Sequence, residues 1–70
     1  SYYHFQVLGI GVWTEGGEHI GRVTEILPKE GADVYVVRDG DRAEVLLLAV
    51  ESVVLDVDLE EGRMVVRLPE

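Results

Sequence analysis

Residues able to do acid–base or nucleophilic chemistry are scarce and badly spaced in this chain. It has no cysteine, two histidines, His4 and His19, and one serine beyond the first residue, Ser52. A hydrolytic triad needs a nucleophile, a base and a carboxylate that orients the base. Here His4 sits in an aromatic lead-in, and His19 adjoins a Gly-Gly turn with no partner in view. The sequence argues against an enzyme. The acidic run Asp56-Val57-Asp58-Leu59-Glu60-Glu61-Gly62 starts like a calcium loop, with oxygen ligands at alternate positions. It then leaves that pattern, because Gly62 takes the seventh place instead of the sixth and Arg67 stands twelfth, where a bidentate Glu belongs. A hairpin turn with outward-facing acids accounts for the run better. Two histidines without thiolates disfavour zinc. Gly9-Ile10-Gly11 and Glu15-Gly16-Gly17-Glu18 precede strands, so no helix N-terminus is available to hold a phosphate. The expectation is a domain with neither metal nor cofactor.

Two features rise above this background. Tyr2-Tyr3-His4-Phe5 places four aromatic-type side chains in succession. They either cap the open end of a barrel or anchor a partner, since Tyr is a preferred hot-spot residue. Trp13 is the second, with Gly11 and Gly9 two and four residues before it on the same presumed outer face. That arrangement leaves a smooth strip beside a large ring, to be covered by the lead-in, by a neighbouring domain or by a partner. Tyr2, Tyr3, His4, Phe5 and Trp13 are therefore the candidate partner-binding residues.

Composition sets limits on the partner. Fourteen acidic against six basic residues give a net charge of −8, and Lys29 is the only lysine. Phosphate binding draws on clustered Lys and Arg, so no direct nucleic-acid binding is expected. Such a domain attracts basic proteins, although the same charge also serves plain solubility. No apolar run approaches the roughly 20 residues of a membrane-spanning helix, and no membrane partner is expected. The lack of cysteine leaves a chain of 70 residues to be stabilised by its apolar content alone.

The elements that would position these residues are short strands. The longest is Glu18–Leu27, between a Gly-Gly turn and Pro28, rich in β-branched residues. Its alternation is imperfect, with apolar side chains on both faces and Gly21 inside, which predicts a bent or bulged strand at a barrel corner. Before it, Leu8, Ile10 and Val12 alternate as a first strand. Asp33 to Arg38 reads as a third strand, and Asp39-Gly40 as a two-residue hairpin turn. Arg42 to Leu48 follows, with Val45-Leu46-Leu47-Leu48 apolar on both faces and expected to be the most buried strand. A short helical turn at 49–52 leads to strands around Val53–Asp58 and Arg63–Leu68, separated by a turn at Leu59-Glu60-Glu61-Gly62. Six strands with turns about every ten residues indicate an all-β fold, here a small six-stranded antiparallel β-barrel. Residues 1–7 form an aromatic lead-in or interdomain segment and 8–70 the barrel domain. With Ser1 in place of Met, the chain is read as part of a longer protein.

Laid out this way, the sequence resembles the PRC-barrel domain at the C-terminal end of the bacterial ribosome maturation factors of the RimM family. The resemblance covers nearly the whole chain. It is carried by Tyr2-Tyr3, Leu8-Gly9, Val12, and Gly17-Glu18 leading into Gly21-Arg22-Val23-Thr24-Glu25-Ile26-Leu27. Further along it rests on Asp33-Val34-Tyr35-Val36-Val37, Glu44-Val45-Leu46, Val53-Val54, Val57 to Arg63, and Leu68-Pro69-Glu70. Leu48 departs from it, standing where the family usually carries a proline. The resemblance implies a cytoplasmic, non-catalytic assembly factor with a second, N-terminal β-barrel domain in the same chain. It also implies binding to the pre-mature small ribosomal subunit through ribosomal protein S-nineteen, support for rRNA processing and head maturation, and a role for Tyr2 and Tyr3 in that binding. The alternative is a PRC-barrel that serves as a scaffold or docking domain in a non-ribosomal protein.

Overall fold

In a computed structural model, residues 6–69 are described. Six strands, β1 (Gly11–Thr14), β2 (His19–Leu27), β3 (Val34–Arg38), β4 (Val45–Leu48), β5 (Val54–Asp58) and β6 (Arg63–Val66), form one sheet in the order β4-β3-β2-β1-β6-β5. Extents of 28 × 27 × 24 Å show a rolled sheet, since a flat one would be only about 10 Å thick. The all-β expectation holds.

One part of it needs correcting. The sheet is mixed, because β1 and β6 run parallel while every other neighbouring pair is antiparallel. The first four strands wind as a meander, and the β5–β6 hairpin then lies against the free side of β1. In that position β6 runs in the direction of β1. The ends of the sheet, β4 and β5, are joined by the segment between them. It contains a single turn near the one expected at 49–52, too short to be a helix: the Val53 and Val54 N–H groups both donate to the Val50 carbonyl, at 3.0 and 2.8 Å.

β2 is bent as its sequence requires. Its first half pairs with β1 and its second half with β3, the two halves overlapping at Arg22. Each pairing skips one β2 residue. Ile20 has no partner between Gly21, opposite Val12, and His19, opposite Trp13. Thr24 has none between Val23, opposite Val37, and Glu25, opposite Val36. An unpaired extra residue reverses the facing of the side chains beyond it. This is why Ile20, Val23 and Ile26, spaced by three, all pack on the core. The Thr24 hydroxyl donates to the Val36 carbonyl at 3.3 Å, tying its bulge to β3.

The core is a single apolar cluster of Val7, Ile10, Val12, Val23, Tyr35, Val37, Leu47, Met64 and Val66. Val7 precedes the first strand and is nonetheless fully buried. No polar or charged side chain is buried among the described residues. Three sequence expectations shift. Leu8 and Gly9 form a turn before β1, so Leu8 is exposed and does not alternate with Ile10. Asp39-Gly40 opens a loop over 39–44 in place of a two-residue hairpin. The most buried strand is β3, not β4. β3 lies between two neighbours, whereas β4 ends the sheet and buries only Leu47, leaving Leu46 and Leu48 more than half exposed. The Asp58–Gly62 acids form a hairpin turn, in which Asp58 Oδ1 accepts the Glu61 N–H at 3.1 Å.

Candidate functional site

Tyr2, Tyr3, His4 and Phe5 lie outside the described residues. Trp13 is described, and it stands in a surface groove of about 530 Å³. Glycines form much of the groove's floor: Gly9, Gly11, Gly21 and Gly40. Two of them are required there for different reasons. At Gly21 the backbone has φ +140 and passes so close to β3 that a Cβ would collide with the Arg38 carbonyl. At Gly11 the obstacle is a side chain. A Cβ would stand 2.6 Å from Cζ3 of Trp13, so the indole lies directly over this glycine.

The indole is held in place by its neighbours. His19, opposite Trp13 on β2, brings its ring centroid to 4.8 Å at 48°. The Arg63 guanidinium lies over the ring, with Cζ 4.7 Å from its centroid, in a cation–π arrangement. Trp13 is therefore half-buried and packed among side chains of β2 and β6. His19, which had no partner in the sequence reading, finds one in this ring.

Arginines form the polar wall. Arg22 and Arg38 line the groove and stand directly opposite each other on β2 and β3. Arg38 is ion-paired with Glu44, and Arg42 approaches Asp39 at 3.6 Å. At the sheet's other side Arg67 donates through Nε to Glu15 Oε2 at 2.9 Å and through Nη2 to Oε1 at 3.3 Å. The hydrogen bond from Arg67, and then its charge, hold the Glu15 carboxyl below the ordinary glutamate value, and Arg67 is raised in turn. No group of three or more His, Asp or Glu among the described residues is placed to hold a metal. No helix of the described residues is long and apolar enough to cross a membrane.

Sequence reading found Trp13 and the glycine strip, but not the arginines around them. The available signal was that Arg22 shares a strand face with apolar residues. Register, which brings it beside Arg38, is not a property of any one segment.

A rolled six-stranded sheet around one hydrophobic core, with a glycine-floored groove on its surface, defines a small β-barrel domain. The chain corresponds to the C-terminal PRC-barrel domain of the ribosome maturation factor RimM. It is 55% identical over 71 residues to RimM of Heliobacterium modesticaldum, covering all of this chain and 42% of that protein. It is 46% identical to RimM of Geotalea daltonii, again over the whole chain and 40% of the relative. A crystal structure from Pseudomonas aeruginosa, described as a 16S ribosomal RNA processing protein RimM, superposes with a TM-score of 0.89 at 33% identity, over 99% of this chain and 44% of that one. No family model matches the chain. The chain thus spans about two-fifths of the length of the curated relatives it matches.

Proposed function

We propose that this domain is a non-catalytic binding module of a ribosome maturation factor, acting on the immature small ribosomal subunit in the cytoplasm. The observation that carries this reading is the whole-length similarity to RimM proteins, joined to the same fold at a TM-score of 0.89. In this reading the domain docks on the basic ribosomal protein S-nineteen of the subunit head and supports 16S rRNA processing and head maturation. The aromatic side chains Tyr2, Tyr3, His4, Phe5 and Trp13 supply the anchors. An N-terminal domain of the same protein completes the contact. The charge of −8 favours a basic protein partner.

The test is a pulldown of immature small subunits with the chain and with the Tyr2→Ala/Tyr3→Ala variant. Truncating true hot-spot tyrosines weakens binding by about 2 kcal/mol or more and leaves the circular dichroism spectrum unchanged. Undiminished capture by the double variant refutes the reading.

A further inference from the structure

Net charge hides where the cations go. The strand register aligns three of the chain's six basic residues in one row across the outer face. Arg38 on β3 stands opposite Arg22 on β2, Arg22 opposite Gly11 on β1, and Gly11 opposite Arg63 on β6. All three arginines are exposed. Like charges placed directly opposite each other in an antiparallel pair are destabilising, and fourteen acidic residues in the chain could have supplied a better neighbour. Acids do stand at the row's two ends, where Glu44 pairs with Arg38 and Asp58 lies opposite Arg63. The middle is left uncompensated, since Arg22 has no ion pair among the described residues. A row neutralised at its ends and open at its centre, over a floor of bare glycine backbone, is an arrangement that fits an external anion.

We propose that the groove takes a backbone phosphate of an RNA strand, with Arg22 as its first contact and Arg38 as its second. Guanidinium groups bind phosphate oxygens through paired, charge-assisted hydrogen bonds, and both cations lining the groove are arginines; the acid in its lining, Asp39, is approached by Arg42 at 3.6 Å. Gly9, Gly11 and Gly21 keep side chains out of the approach, while Arg63 stays engaged on Trp13. The groove, at about 530 Å³, has room for a sugar–phosphate segment. The choice of RNA over an acidic peptide rests on the reading that the domain works on the small subunit, whose prevailing anion is RNA. Such a contact replaces the expectation of no nucleic-acid binding, which rested on the net charge and on the scarcity of clustered Lys and Arg in the sequence. Because the chain as a whole repels polyanions, this contact gives local register and not long-range attraction.

The test is a titration of the chain, followed by nuclear magnetic resonance, with an oligouridylate, with inorganic phosphate and with a polyglutamate of matched charge. The oligouridylate is expected to shift the Arg22 Nε–H and the Trp13 indole N–H most. Arg22→Gln is expected to weaken that binding about tenfold and to reduce the salt slope of the affinity by about 1. The melting temperature of the variant should not fall, because the substitution removes a like-charge pair. Absence of a shift at Arg22, an unchanged salt slope in Arg22→Gln, or equal binding of polyglutamate overturns the proposal. Inorganic phosphate binding as tightly as the oligomer overturns it too. The readout is independent of subunit capture. If Tyr2→Ala/Tyr3→Ala captures subunits undiminished while the groove still binds RNA, the docking reading fails and this one stands. The converse pattern sinks this one alone.

Discussion

At Gly21 the protein tolerates no side chain, and at Gly11 it tolerates one only by moving another. Gly21 has positive φ and a backbone obstacle, the Arg38 carbonyl, which cannot swing away without opening the β2–β3 ladder. Gly21→Ala is expected to cost at least about 2 kcal/mol in chemical denaturation, from backbone strain and the clash together. The Gly11 obstacle is the far end of the Trp13 ring. Gly11→Ala should therefore leave most of the stability in place and displace the indole from Arg63 and His19, read as a change in tryptophan fluorescence. Glu15 offers a pH test. Its carboxyl is lowered by the hydrogen bond from Arg67, so the contribution to stability is present above the ordinary glutamate value and is lost as pH falls through the lowered one. Both groups are exposed, which keeps the contribution small. A carboxylate titration should place Glu15 below the ordinary glutamate value, and Arg67→Gln should return it there.

Among the elements, β2 shows what an irregular pattern can reveal. Ile20, Val23 and Ile26 fit no flat strand, and together with Gly21 they predicted a bend that the skipped residues Ile20 and Thr24 supply. The turns at Gly17 and Gly62, both with positive φ, were equally legible from residue type, whereas at Gly40 the place of the turn was legible but not the length of its loop. β4 shows the limit. Val45-Leu46-Leu47-Leu48 reads as a central strand, yet it ends the sheet. Periodicity says which side chains share a face; it does not say how many neighbours the strand has. The parallel pairing of β1 with β6 and the arginine row were hidden for the same reason. Truncating the β4 leucines separates the two faces. Leu47→Ala, at 1% exposure, should cost about 3 kcal/mol. Leu48→Ser, on the open face, should change the unfolding midpoint little.

For the molecule as a whole, charge decides how it meets a partner. A domain of −8 that docks on a basic protein should associate faster as salt is lowered, with dissociation much less affected. Stopped-flow association at several ionic strengths checks this, and a flat dependence removes steering from the account. The groove contact has the opposite character, since it is short-ranged and set within a repulsive surround. The charge of −8 and the arginine row thus give one chain two kinds of complementarity.

The parallel ladder between β1 and β6 has a consequence for how the protein opens. Among the described residues it is the only strand pairing that joins the β1–β4 meander to the β5–β6 hairpin. All other pairings are between strands adjacent in the chain, whereas this one unites strands separated by four others. Its formation carries the largest loop-closure entropy and belongs late in folding. The hairpin contributes Met64 and Val66 to the core, so its release would expose the interior and loosen the far side of Trp13, where Arg63 rests. Native-state amide exchange should detect this as a subglobal event: the β5–β6 amides exchange as one unit at lower free energy than those of β2 and β3. The weakest seam of the barrel then runs along β1, the strand that carries Trp13, which makes the groove the part of the molecule first lost to partial unfolding.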